Sequence, residues 1–196
     1  MPRGPADLDV ELAGLPAEAR WREWMGRVEA VVFASHQPVT RETLACVVGR
    51  ACQLDLLLED IRAELSGRPY ELVKVGGGYA LRTKARNAAA IRAAFAIDPE
   101  ARGLSKLEAG VLAAIAYEQP VTRAALSERF GREISRDLIA SLRDKALIAP
   151  GPRAPQPGAP FAYVTTGRFL ETFGLETLAD LPDLEALSDA GLAEEA

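Results

Sequence analysis

Apolar residues recur at steps of three and four along the first third of the chain, a spacing that predicts amphipathic helices. Pro38 ends the first of these helices, because proline lacks an amide proton and pushes the preceding residue out of the helical region. Thr40 is placed to cap a second helix that continues through Leu44 and Val48 and closes at Gly49. The apolar positions of the first helix, which begins near Ala17, are Trp21, Trp24, Val28, Val31 and Val32. Those of a third helix are Leu54, Leu57, Leu58, Ile61 and Leu65.

The hydrophobic period then changes from helical to extended. Residues 70–75 and 79–83 are rich in β-forming residues and flank three consecutive glycines, a pattern that predicts a hairpin. A further helix is expected over residues 86–97. Three helices followed by a hairpin are the element order of a winged helix-turn-helix domain.

The same order of elements occurs a second time. The residues Gln-Pro-Val-Thr-Arg stand at 37–41 and again at 119–123, 82 positions later. Ser105 and Glu108 predict a capping box before the first helix of this copy, and Thr122 repeats the role of Thr40. Residues 147–149 and 161–165 are predicted to form its two wing strands. The apolar face of its third helix is predicted at Ile134, Leu138, Leu142 and Ala146.

A repeat of this length predicts two copies of one small domain in series. The fold class is therefore mainly α with small β-hairpin wings (α+β): tandem winged helix-turn-helix domains at 17–98 and 99–175. Residues 1–16, with three prolines, are expected to form a loosely ordered arm, and residues 176–196 an acidic tail. The second wing contains five prolines within residues 150–160, which predicts an extended and stiff tip.

Composition narrows the class of protein. The chain has 196 residues, 48% of them apolar, and no segment approaching the roughly 20 apolar residues of a membrane span. We therefore expect a cytoplasmic protein without membrane contact. Cys46, Cys52 and one histidine cannot supply the ligands of a structural zinc site, and Cys46 is expected to lie in the core.

The charge pattern argues against direct DNA reading. The net charge is −5, so affinity for phosphates requires a local basic patch. The third helix of the first copy carries four acids and one arginine, which would repel a duplex. In the second copy Arg136, Arg143 and Lys145 balance three acids. We expect DNA to be reached only indirectly; a winged-helix transcriptional regulator with these three cations at the phosphates is the alternative.

No catalytic or cofactor site is expected. His36 is the only histidine and lies in a predicted exposed turn. The three glycines at 76–78 lie between strands and do not precede a helix, so they lack the context of a phosphate loop.

Several segments together resemble the segregation and condensation protein B family. They are 28–33, 77–84, the stretch 104–123 around the second repeat, 163–175 and the ending 178–182. The resemblance implies a non-enzymatic subunit of the bacterial condensin-like complex that acts in chromosome condensation and partition. It further implies a homodimer that binds the kleisin subunit, segregation and condensation protein A, and through it the SMC ATPase at the nucleoid.

Two groups of residues are candidates for these contacts. For dimerisation we select the first domain with Trp21 and Trp24, although both tryptophans could instead cover the first core. For the kleisin we select the outer surface of the second domain, although tyrosines at such positions are more often core-edge residues than contact residues. The proline-rich wing at 150–160 and the segment 129–134 depart from the family pattern, which puts any contact through that wing in question. The selected residues of the second domain are Tyr117, Arg123, Arg136 and Tyr163.

Overall fold

The computed structural model describes residues 8–96, 103–151 and 161–183. The chain forms two compact units, Met1–Ile97 and Asp98–Ala196. In the described part of each unit, three helices and a small antiparallel sheet follow the order of a winged helix-turn-helix domain, and a fourth helix comes after the sheet. The fold class is therefore α+β with tandem winged helices, as the hydrophobic pattern predicts.

The helices of the first unit follow the apolar periodicity. They are α1 (Ala17–Ala34), α2 (Arg41–Ala45), α3 (Leu54–Glu64) and α4 (Ala88–Phe95). Single 3-10 turns, Leu65–Gly67 and Ala85–Asn87, follow α3 and precede α4.

The second helix is shorter than predicted. It ends at Ala45, so Cys46 is the C-cap and is exposed, and its predicted place in the core is wrong. Val48 remains buried from the turn that follows.

The wing of the first unit consists of β1 (Tyr70–Val75) and β2 (Gly78–Thr83), paired antiparallel with Tyr70 opposite Thr83. Val39 forms an isolated β-bridge with Tyr79. Each backbone nitrogen lies 2.8 Å from the carbonyl oxygen of the other residue. A Cβ on Gly78 would lie 2.8 Å from the Val39 carbonyl oxygen, so this approach requires glycine. The hydrophobic core below the wing includes Val28, Leu44, Leu57, Leu58, Ile61 and Leu72.

The described part of the N-terminal arm packs against the first unit, in contrast to the loosely ordered arm that we expected. The Arg27 Nη1 donates to the Asp9 carbonyl oxygen at 2.8 Å. The Arg50 backbone N–H donates to the Glu11 carboxylate at 3.2 Å, and Leu12 contacts the core. Local composition did not reveal these bonds, because their partners lie far along the chain. Residues 1–7 lie outside the described residues.

The helices of the second unit are α5 (Lys106–Glu118), α6 (Arg123–Arg129), α7 (Arg136–Asp144) and α8 (Gly167–Phe173). Its strands are β3 (Val121–Thr122), β4 (Ile148–Pro150) and β5 (Ala162–Thr165), in the sheet order β3-β5-β4. The predicted capping box of Ser105 and Glu108 is present. The tip of the second wing, 152–160, lies outside the described residues. The core includes Val111, Leu112, Ile115, Leu126, Ile134 and Leu142.

The chain after α8 folds back onto the second unit. Gly174 ends α8 with a φ of 73°, a left-handed conformation that glycine adopts without strain. Thr177 and Asp180 form a capping box around the 3-10 turn Leu178–Asp180, and Leu181 packs against the core. We name residues 175–183 the C-terminal strap. Residues 176–183, which we had assigned to an acidic tail, are thus part of the folded unit; residues 184–196 lie outside the described ranges.

The repeated Gln-Pro-Val-Thr-Arg builds the same corner in each unit. The hydroxyl oxygens of Thr40 and Thr122 each accept a backbone N–H of the following helix, at 3.3 and 3.2 Å. Val39 and Val121 are buried and pair with a tyrosine of the second wing strand, Tyr79 in one copy and Tyr163 in the other. The motif therefore joins the helix-turn-helix corner to its wing.

Candidate partner-binding surfaces

The two tryptophans selected for dimerisation have different environments. Trp24 is only 3% exposed, and its indole N–H donates to the Val10 carbonyl oxygen at 2.8 Å. It is a core residue, and the structure does not offer it to a partner. Trp21 is half-buried, packs edge-on against Trp24, and donates from its indole N–H to the Asp60 carboxylate at 2.8 Å. Trp21 therefore ties α1 to α3 and remains partly exposed at the surface.

Other apolar side chains of the first unit are far more exposed. Phe33 in the last turn of α1 is 81% exposed, Phe95 at the end of α4 is 74% exposed, and Leu56 on α3 is 50% exposed. None of the residues of α4, all of which the structure describes, is buried. Aromatic residues are enriched at protein interfaces, so the exposed Phe33 and Phe95 are candidate contact residues. The sequence did carry a signal, since Phe33 directly follows the buried Val32 and so falls outside the apolar face of α1.

Arg123 has a structural role within the second unit. Its Nη1 donates to the Ile134 carbonyl oxygen at 2.8 Å and approaches the Glu133 carboxylate at 3.3 Å. It therefore fastens the start of α6 to the turn before α7. Arg41, its counterpart in the first repeat, pairs with Asp55 of α3 at 2.9 Å. In both copies the repeated arginine links the second helix to the start of the third.

Arg136 begins α7 and is exposed. Arg143 lies seven residues later and shares its helical face, while Asp137 and Asp144 are exposed beside this pair. Lys145 is bound to Glu108 at 2.9 Å, which holds its charge against α5. The outward side of α7 is therefore of mixed charge and forms no basic stripe for a duplex.

The third helix of the first unit, α3, is equally unsuited to binding the phosphates of DNA. Its acidic side chains Asp55, Glu59, Asp60 and Glu64 are exposed. The hydrogen bond from Arg41 lowers the pKa of Asp55, so that this carboxylate is ionised at neutral pH. A duplex against this helix would meet like charge.

The two tyrosines selected in the second unit are both half-buried. Tyr163 lies on β5 opposite Val121 and Pro150 and packs against the core. The Tyr117 hydroxyl donates to the Pro182 carbonyl oxygen of the C-terminal strap. Burial and the nearby Asp183 carboxylate raise the pKa of the Tyr117 phenol, so it remains a protonated donor at neutral pH.

A groove of about 510 Å³ opens between the end of α5 and the C-terminal strap. Ala116 forms part of its floor and is 5% exposed, whereas Leu178 on the strap is 39% exposed. The structure thus places Tyr117 in a surface groove and leaves Arg123 and Tyr163 in supporting positions. Sequence reasoning missed this groove because its walls come from residues about 65 positions apart. The lining of the groove includes Ala116, Tyr117, Gln119, Leu178, Leu181 and Asp183.

Within the described ranges, no helix is long and apolar enough to cross a membrane. No group of three or more His, Cys, Asp or Glu side chains among the same residues could hold a metal ion.

Comparison with known proteins gives the family. The segregation and condensation protein B of Syntrophotalea carbinolica is 37% identical over 165 residues, which cover 83% of this chain and 82% of that protein. The protein of the same name from Bacillus licheniformis is 38% identical over 179 residues, covering 88% and 89%. The crystal structure of ScpB from Mycobacterium tuberculosis aligns with 29% identity over 79% of this chain and 97% of that chain, at a TM-score of 0.36. The family described as segregation and condensation complex subunit ScpB matches residues 26–184, and the chain belongs to this family.

Proposed function

We propose that this protein is a non-enzymatic subunit of the bacterial SMC complex that acts in chromosome condensation and partition. The observation that carries the proposal is the family match over residues 26–184, which spans both winged-helix units. The relatives bear the name segregation and condensation protein B, and the matching family is described as a subunit of the segregation and condensation complex. The alternative of a transcriptional regulator is not favoured, because the helices that would read DNA are acidic in one unit and of mixed charge in the other.

The proposed partner is the kleisin subunit, segregation and condensation protein A, with the SMC ATPase reached through it. The second unit would make the contact, with Tyr117 at the groove and Arg136 on the exposed side of α7 as the accessible candidates. DNA would be reached through the complex, and the protein would act in the cytoplasm at the nucleoid. A protein of this kind needs no cofactor.

Co-purification tests the proposal. The full chain, tagged and expressed with the kleisin encoded in the same genome, should elute with it as one complex whose mass gives the stoichiometry. Retention of the kleisin at about 0.3 M salt is expected, because an apolar contact is screened little by salt. Elution of the two proteins as separate species would overturn the proposal. A duplex mobility shift by the protein alone at low salt would instead support the regulator.

A further inference from the structure

We infer that the groove beside the C-terminal strap binds a peptide segment that combines apolar side chains with lysine or arginine. This inference deepens the proposed partner contact of the second unit and rests on that proposal.

The walls of the groove are fixed by bonds that do not depend on a ligand. The Tyr117 hydroxyl holds the Pro182 carbonyl, and Leu181 anchors the strap in the core. The Asp180 carboxylate accepts the backbone N–H of Thr177 at 2.8 Å, which closes the capping box. A groove whose walls are already in place binds without the cost of ordering them.

The apolar surface of the groove has two parts. Ala116 and Leu181 line its floor, and Leu178 projects from the strap with more than a third of its surface exposed. A volume of about 510 Å³ falls within the range of ligand sites and accommodates two or three side chains of a peptide. The exposed Leu178, together with Ala116 and Leu181, favours contact with an aliphatic side chain.

The charge of the groove selects the polar part of the ligand. The strap contains three acidic residues and no basic residue, and Asp183 lines the groove itself. No lysine or arginine lies among the described residues of the lining. A cationic side chain beside the apolar contact would therefore be attracted, and an acidic one repelled.

Like charge disfavours two other occupants of the groove, the end of the chain and a second copy of it. Residues 184–196, which follow the groove directly, contain four acids and no base and would meet like charge. A second copy of the chain carries a net charge of −5 and would be repelled in the same way. A separate partner with a basic and apolar segment fits the groove best.

The first experiment uses defined peptides and the full chain. A fluorescein-labelled dodecapeptide of alternating leucine and lysine should bind at about 0.1 M salt, measured by anisotropy, and its leucine-glutamate counterpart should not. Asp183→Lys and Leu178→Ser should each weaken binding about five- to tenfold. Glu128→Lys is the matched control, since Glu128 is an exposed acid of α6 outside the groove lining. Unchanged binding in both groove variants, or an equal loss in the control, would overturn the inference.

A chain ending at Asp183 tests whether residues 184–196 fill the groove. We expect its affinity for the leucine-lysine peptide to stay within about threefold of the full chain, because removing four acids that are not among the described residues of the lining changes only a screened attraction. A rise of about tenfold or more would identify these residues as the occupant and overturn the inference.

The kleisin separates failure of the groove from failure of the proposed function. Loss of the kleisin by the double variant Leu178→Ser/Asp183→Lys, with retention by the Glu128→Lys control, supports both proposals. Equal retention by all variants overturns the groove and leaves the proposed function standing. The unaltered chain could also retain no kleisin but bind the peptide in a way that depends on Asp183. That result would overturn the proposed function and support peptide binding in the groove.

Discussion

The Glu108 side chain joins two helices of the second unit through one carboxylate. It accepts the Ser105 backbone N–H at 2.8 Å, the Ser141 hydroxyl at 2.6 Å and the Lys145 ammonium at 2.9 Å. These bonds lower the pKa of Glu108 from 4.5 to about 2, and the hydrogen bond from Ser141 has the largest effect. Because the folded-state pKa is depressed, the stabilisation is present above about pH 4.5 and is lost as the pH falls towards 2.

Glu108→Gln should lower the free energy of unfolding by about 1–2 kcal/mol at pH 7, with allowance for partial solvent screening. The difference from the unaltered chain should shrink between about pH 4.5 and 2, where the native carboxylate also becomes neutral. Urea unfolding followed by circular dichroism at several pH values measures both effects. Glu128→Gln is the control, since Glu128 is exposed on α6. A difference that persists at pH 2 would contradict this account.

Gly78 is required by close packing at the first wing. Gly78→Ala places a Cβ 2.8 Å from the Val39 carbonyl oxygen and 2.9 Å from the Pro38 carbonyl carbon, so the backbone must shift and the Val39–Tyr79 bridge weakens. We expect a loss of about 2–3 kcal/mol in the free energy of unfolding. Gly67→Ala is the matched control, because nothing lies within 4 Å of its added Cβ. Equal effects of the two substitutions in thermal unfolding would refute the packing argument.

At the scale of elements, each unit fastens its second helix to its third with the repeated arginine, but in different surroundings. Arg123 is 34% exposed and donates to a backbone carbonyl of the buried Ile134. Arg41 and Asp55 are 53% and 68% exposed, so water competes for their bond. The repeated arginine therefore contributes more to the free energy of unfolding in the second copy than in the first.

Arg123→Ala should destabilise the second unit by about 1–2 kcal/mol, because the Ile134 carbonyl loses its side-chain donor in a partly buried site. Arg41→Ala should have a smaller effect, and that effect should disappear at high salt. Urea unfolding of both variants at about 0.05 and 1 M salt compares them. A larger loss for Arg41→Ala than for Arg123→Ala would show that exposure does not govern these bonds.

The C-terminal strap depends on Tyr117 for its outer fastening. Tyr117→Phe removes the bond to the Pro182 carbonyl, worth about 0.5–1.5 kcal/mol, and should speed amide exchange at Asp180 and Leu181 about two- to tenfold. Hydrogen exchange read by mass spectrometry measures this change. Tyr163→Phe is the control, since Tyr163 does not line the groove. Unchanged exchange in Tyr117→Phe would mean that Leu181 alone secures the strap.

At the scale of the whole molecule, the exposed apolar residues of the first unit support the proposed homodimer. Phe33, at 81% exposure, and the unburied helix α4 present apolar surface that a monomer would leave in water. Trp24 is part of the core, so the interface is proposed around these residues and the exposed part of Trp21.

Phe33→Ser should weaken self-association at least about tenfold, because a phenyl group buried at an interface contributes roughly 1.5–3 kcal/mol. Sedimentation equilibrium of the full chain at micromolar concentration measures it. Phe173→Ser, at a phenyl group 49% exposed in the second unit, is the control. If the unaltered chain is a monomer, the dimer proposal is overturned. If Phe33→Ser dimerises as strongly as the unaltered chain, Phe33 is not part of the interface.

The sequence by itself determined the duplicated domain, the helix faces and the caps at Thr40, Ser105 and Thr122. Each of these depends on residues within a few positions of one another, so periodicity and capping chemistry predict them. The tertiary structure decided which of those residues a partner can reach. In the folded chain Trp24 is buried against Val10, and much of the apolar surface of α4 is exposed. The bond from Tyr117 to the strap forms one side of a surface groove. These outcomes depend on contacts between residues far apart in the chain, and no local pattern carries that information.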